Sequence, residues 1–183
     1  MLEQKLIDIL RSNEYLLRDL ELVRQLGLPD WYIAAGYVRN RVWDHLHGYS
    51  EPTPLNDVDI LYYDPYDLAE DTEKRHELVL REQRNTYDWS CKNQARMHIR
   101  NQDEPYLSVT DAMKRWPETA TAVGVSLDED GGIIIIAPYG LQDLFDLVIR
   151  KSPLYTDDDV FHQRIQSKNW LEKWPLLKIR EKS

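Results

Sequence analysis

Leu6, Ile7, Ile9 and Leu10 form one apolar stripe at helical spacing. Leu16, Leu17, Leu20, Leu22, Val23 and Leu26 form a second beyond Ser12-Asn13. The pattern predicts helical structure over 2–26, ended by Gly27 and Pro29. Trp31-Tyr32-Ile33-Ala34-Ala35 is a short apolar run suited to a buried strand, with Gly36 at the turn behind it. Val38, Val42, Trp43 and Leu46 then mark the apolar face of a helix over 37–47, which Gly48 stops. The prolines within 49–56 make that stretch a loop. Val58, Ile60, Tyr62 and Tyr63 mark a strand with Asp57 and Asp59 interleaved.

Farther along, 67–84 reads as a charged surface helix, 87–91 as a strand, and 93–99 fits either type. The stretch 108–116 reads as a helix that Pro117 closes. Residues 121–127 and 133–137 flank Asp128-Glu129-Asp130-Gly131-Gly132 as the arms of a hairpin. Helices are expected over 141–148 and 159–174. The expected fold class is α+β, a small mixed sheet of about four or five strands flanked by helices.

At 183 residues, 42% hydrophobic and 30% charged, the chain has globular composition and enough length for a core. It is expected to form one domain over 1–183, with N-terminal helices and a basic C-terminal helical segment. A single cysteine, Cys91, excludes an intramolecular disulfide framework. The five histidines are scattered and form no metal set. The first residues have no basic stretch leading into an apolar run, and no apolar run approaches the roughly 20 residues of a membrane span. The expected location is the cytoplasm, with no membrane partner.

The net charge of −9 is unevenly spread: from Phe161 onward six basic side chains face two acidic ones. The preceding 160 residues hold 17 basic and 30 acidic groups, a balance of −13. That body disfavours a long nucleic acid as partner. The basic tail reads as a solvated helix face, with phosphate contact as the alternative.

Chemistry concentrates in Ala34-Ala35-Gly36-Tyr37-Val38-Arg39-Asn40 and Leu55-Asn56-Asp57-Val58-Asp59-Ile60. A strand ending in small residues lets a backbone turn approach a phosphate. The helix that follows offers free N–H groups and a positive dipole end to an anion. Asp57 and Asp59, two apart on a strand, project from one face and can share a hard divalent cation. Magnesium, or manganese in its place, would bring substrate phosphate oxygens and water to complete its shell.

Ala35-Gly36-Tyr37-Val38-Arg39-Asn40 followed by Asp57-Val58-Asp59 resembles the signature of the polymerase β-like nucleotidyltransferase superfamily. It is closest in style to the Gly-Gly-x-Val-Arg-Asp element of tRNA CCA-adding enzymes. Nearly the whole chain resembles a bacterial nucleotidyltransferase-like family formerly known as a domain of unknown function. The blocks that carry this include Trp89-Ser90-Cys91-Lys92-Asn93-Gln94-Ala95-Arg96-Met97-His98, Arg115-Trp116-Pro117-Glu118-Thr119-Ala120-Thr121-Ala122-Val123-Gly124 and Ser167-Lys168-Asn169-Trp170-Leu171.

The resemblance implies a polymerase β-like nucleotidyltransferase fold. It implies Asp57 and Asp59 as catalytic metal ligands, Ala35-Gly36 as the phosphate-holding turn and Arg39 facing the triphosphate. The superfamily usually supplies a further carboxylate from a later strand, for which Asp88 is the candidate. Two other departures stand out: Ala35 replaces the first Gly of the superfamily's pair, and Asn40 replaces the Asp that ends the CCA-enzyme element.

Lys92, Gln94, Arg96 and His98 would share a face if 92–98 were a strand. They then form a polar wall of the site, with Lys92 or Arg96 on phosphates, or else a solvated face or a hydrogen-bond network. Asp143 sits in the first turn of an expected helix, where an acid complements the dipole. The expected activity is transfer of a nucleoside monophosphate from an NTP to the hydroxyl of an unknown small molecule or protein. The alternative is a non-catalytic nucleotide-binding or regulatory module, including a toxin–antitoxin component.

Overall fold

The computed structural model describes residues 1–181, so Lys182 and Ser183 of the basic tail lie outside the described residues. Five strands form a mixed sheet: β1 (Tyr32–Ala34), β2 (Asp57–Tyr62), β3 (Asp88–Asn93), β4 (Gly124–Leu127) and β5 (Ile133–Ile136), in the order β3-β2-β1-β4-β5. Within this sheet β2 and β3 run parallel and the other neighbours are antiparallel. That parallel pair needs a crossover, and α4 (Glu70–Gln83) supplies it. No helix among the described residues is long and apolar enough to cross a membrane.

Strand alternation sorts the sheet into two unlike faces. Ile33, Val58, Ile60, Tyr62, Trp89, Cys91 and Val125 are buried in the main core, with Leu6, Leu10, Leu16, Leu20 and Val23. The last five come from α1 (Leu2–Arg11) and α2 (Leu16–Arg24), the two helices expected from the opening stripes. On the opposite face Ala34 and Leu61 pack with Val109 and Met113 of α6 (Val109–Met113). Asp57 and Asp59 stand on this second face beside that smaller cluster.

The outer edge of β3 is sealed by carboxylates. Glu77 accepts the Cys91 N–H at 2.8 Å, and fully buried Glu73 accepts the Asn93 N–H at 2.7 Å. Strand N–H groups that would otherwise be left open at the edge are thereby satisfied. Asn93 ends the strand by capping α5 (Gln94–Asn101), its side chain accepting from the Ala95 N–H at 3.1 Å. The ambiguous 93–99 stretch is therefore a helix, and the strand-like sharing of a face by Lys92, Gln94, Arg96 and His98 does not arise.

Two other helices end earlier than their periodicity suggests. The expected 141–148 helix is reduced to α7 (Gln142–Phe145), because Leu147 adopts a positive φ of 58° and Val148 enters β6 (Val148–Arg150). The expected 159–174 helix breaks at Asn169, with φ 52°, into α8 (Asp158–Ser167) and α9 (Trp170–Lys173). β6 pairs in parallel with β7 (Lys178–Arg180), a short sheet not anticipated. Asp143 in α7 is forked to the Arg150 guanidinium at 2.9 and 3.2 Å and accepts from the Thr119 hydroxyl at 2.7 Å. It ties β6 to the body rather than only complementing a dipole.

A buried polar hub lies beneath the first helices. Asp19 has no exposed surface; it pairs with Arg84 Nε at 2.9 Å and accepts from the Tyr37 hydroxyl at 2.8 Å. The Arg84 guanidinium sits over the rings of Tyr15 and Tyr87, 4.3 and 4.8 Å from their centroids.

Candidate active site

Asp59 is in register with Ala34 on one side and Ser90 on the other, so small neighbours leave its carboxylate room on the sheet face. Asp57 is exposed and Asp59 is partly buried. Burial, and then the adjacent Asp57 charge, push the Asp59 carboxyl up to about 6 against the opposing pull of Arg39, Lys168 and Lys92. Two carboxylates two residues apart on one strand face make a donor set that fits a hard divalent cation. Asp57 and Asp59 could hold such an ion; no larger cluster of acids, histidines or cysteines suited to a metal occurs among the described residues.

Behind β1 the chain turns sharply at Ala35, whose φ of 56° and ψ of −125° place it in backbone territory that favours glycine. The Ala35 N–H donates to Val123 O at 3.0 Å, and its carbonyl accepts from Val38 and Arg39 at 3.1 and 2.8 Å. Those bonds hold the strained residue in place and start α3 (Gly36–Leu46), so Gly36 is the first helical residue. Among the described residues no side chain caps α3, which leaves its first N–H groups to solvent or a ligand. Ala35→Gly is expected to raise stability by about 1 kcal/mol, since the positive-φ cost exceeds the entropy lost by adding a glycine. Urea denaturation checks this; an unchanged or lower midpoint would show that the turn is unstrained.

Arg39 is buried on the second turn of α3. Its Nη1 donates to the Thr121 hydroxyl at 2.9 Å, and Nε and Nη2 donate to Asn40 Oδ1 at 3.2 and 3.0 Å. The guanidinium carbon stacks over Trp170 and Trp43, 4.5 and 5.0 Å from their ring centroids. Burial lowers its pKa to about 10, so it remains charged at neutral pH. Among the described residues no carboxylate forms an ion pair with it. Asn40, which stands where the CCA-enzyme element has Asp, thus holds Arg39 without neutralising it.

These groups open on a cleft of about 460 Å³, which Ala35, Gly36, Arg39, Asp57 and Asp59 line together. The far wall comes from the C-terminal segment, which brings Arg164, Lys168, Trp170, Lys173 and Trp174. Trp170 and Trp174 dock edge-on against Trp43, with centroids 5.5 and 5.0 Å away. Buried Asp44 fastens the same region: it accepts from Trp174 Nε1 at 2.8 Å and from the Thr53 N–H and hydroxyl at 2.8 and 2.5 Å. One carboxylate thereby joins α3, the 53–56 loop and the segment that carries the basic residues.

The basic tail is more than a solvated face, since three of its cations reach the cleft. Arg164 also forks onto buried Glu118 at 2.8 and 3.4 Å. Arg100 lines the cleft from α5. The sequence signal for the tail cations was the charge excess beyond Phe161, whereas Arg100 had none. The other expected residues lie outside the cleft lining. Asp88 stands level with Asp57 on the neighbouring parallel strand, but its carboxylate is 74% exposed and lies 3.3 Å from Arg81. Lys92 lies 3.7 and 3.4 Å from Glu73 and Glu77, and Arg96 is forked to Glu73 at 2.8 and 2.6 Å. Both serve the sealed sheet edge.

Among solved structures, the chain is 34% identical to a protein whose NMR structure reveals a CCA-adding enzyme head domain. The TM-score is 0.86, over 98% of this chain and 96% of that one. A CCA-adding enzyme in complex with CTP shares the fold at 15% identity and a TM-score of 0.58, over 98% of this chain and 43% of that one. A tRNA-processing enzyme does so at 20% and 0.54, over 88% and 43%. The chain therefore spans less than half of either enzyme. No curated protein matches the sequence. Residues 21–179 match the nucleotidyltransferase family, a span that takes in the Ala35-Gly36 turn, the paired aspartates and the basic far wall of the cleft. On that match and on the whole-length likeness to the head-domain protein, this chain belongs to the nucleotidyltransferase family.

Proposed function

We propose that the chain is a cytoplasmic, metal-dependent nucleotidyltransferase that moves a nucleoside monophosphate from an NTP to an acceptor hydroxyl. The observation that carries this reading is the convergence of Asp57, Asp59, the uncapped start of α3 and several cations on one cleft. Asp57 and Asp59 would hold magnesium or manganese, which when bound polarises phosphate oxygens and offsets their charge. Ala35 and Gly36 present backbone to the phosphates. Arg39, pinned by Thr121 and the tryptophans, contributes fixed positive charge without reorganising. The acceptor oxygen bonds to the α-phosphorus as the bond toward the β-phosphate breaks. Pyrophosphate leaves, and the acceptor proton passes to water.

The acidic body argues against a long nucleic acid as acceptor, which favours a small molecule or a protein hydroxyl. The test is incubation with each of the four NTPs, CTP included, labelled at the α-phosphate, with magnesium or manganese and candidate acceptors. Label should appear on an acceptor, and Asp59→Asn should abolish it. Asp88→Asn should reduce transfer more than nucleotide binding if Asp88 leaves Arg81 to join the site.

A second reading, the non-catalytic nucleotide-binding or regulatory module, is favoured by the engagement of Asp88 with Arg81. Metal-dependent NTP binding with no transfer to any acceptor class would establish it in place of the enzyme. Absence of NTP binding would overturn both.

A further inference from the structure

Four cations line the cleft without an ion pair among the described residues: Arg39, Arg100, Lys168 and Lys173. In a chain with nine more acids than bases, four cations without an ion pair around one opening form a positive patch suited to an anionic ligand. On the other side of the ledger stand two carboxylates, Asp57 and Asp59, and no third acid closes on them among the described residues. One divalent cation balances those two. A triphosphate carries roughly one negative charge on each inner phosphate and about two on the last. Four unpaired cations match that total, whereas a second metal ion would leave the filled site with an excess of two positive charges.

Lys168 lines the same cleft as Asp57 and Asp59. It is delivered by the segment that Trp170 and Trp174 fasten to α3.

Resting on the nucleotidyltransferase reading, we propose that this site works with one divalent cation per nucleotide. Lys168, with Arg39, Arg100 and Lys173, supplies the counter-charge that a second cation would give. A fixed ammonium cannot bind an acceptor oxygen as a metal does, so its place is on the triphosphate, where it offsets the charge of the departing pyrophosphate.

The test counts metal on a formed complex. The full chain is titrated with manganese in the presence of each of four triphosphates made inert between the α- and β-phosphorus, and bound ion is read by electron paramagnetic resonance. One manganese per complex is expected. Lys168→Gln should weaken triphosphate binding at least tenfold without changing that count, and Lys168→Arg should keep most of the affinity. Two manganese ions per complex, or unchanged affinity in Lys168→Gln, would overturn the inference. If two ions bind and Asp88→Asn reduces them to one, Asp88 is the missing ligand. If no triphosphate binds to the unaltered chain, the nucleotide reading fails and takes this inference with it.

Discussion

Asp59→Asn is expected to make the metal-free protein more stable at neutral pH while removing transfer activity. The folded protein holds the Asp59 proton up to about pH 6, against 3.8 for an ordinary aspartate, because burial and Asp57 penalise the ionised form. An acid with a raised folded pKa opposes folding once ionised. Its cost is absent below about pH 4, grows between 4 and 6, and is complete above 6. A rise of about two pKa units corresponds to at most about 3 kcal/mol, which asparagine would recover. Thermal scans of both proteins should therefore separate by several degrees at pH 7.5 and converge at pH 4. Transfer should fall at least about a hundredfold, because a bound metal's charge is worth several kcal/mol to the reaction. Equal melting temperatures at pH 7.5 would show that the Asp59 charge is already compensated.

Asp19→Ala should give the largest loss of stability in the molecule. It removes the carboxylate paired with Arg84 and the acceptor of the Tyr37 hydroxyl, both inside the core. An uncompensated buried charge costs about 3–5 kcal/mol. Tyr37 lies on α3, two residues before Arg39, so the damage should also loosen the cleft. Urea denaturation should show the loss, and Asp19→Leu combined with Arg84→Met should restore most of it, since an apolar pair of similar volume avoids the unpaired charge. A single variant within about 1 kcal/mol of the parent would mean that water reaches Arg84.

Much of this was legible in the chain because it rests on local periodicity. The alternation around Asp57 and Asp59 put both carboxylates on one face, and β2 places them so. The apolar stripes of 2–26 and the break at Ser12-Asn13 gave two helices, as found. What local pattern could not supply was long-range pairing. Nothing in the sequence near Lys92 or Arg96 shows that Glu73 and Glu77, on a helix that precedes them, hold both. Nor does a strand carrying Asp88 show that Arg81 lies across from it. The break in the C-terminal helix has no local signal, because Asn169 can take a left-handed conformation or continue a helix. The short β6–β7 sheet has three residues per strand, too few for a period to register.

The cleft is assembled from residues as far apart as Ala35 and Trp174. Protein synthesis is vectorial, so a growing chain displays the Ala35-Gly36 turn and the paired aspartates well before Lys168 has been translated. Until Trp170 and Trp174 reach Trp43, Arg39 has neither its full aromatic stack nor its cationic neighbours on the far wall. A ribosome-bound intermediate would thus carry the paired aspartates with Arg39 and Arg100 but without Arg164, Lys168 and Lys173, and the cleft gains its far wall only after translation of that segment.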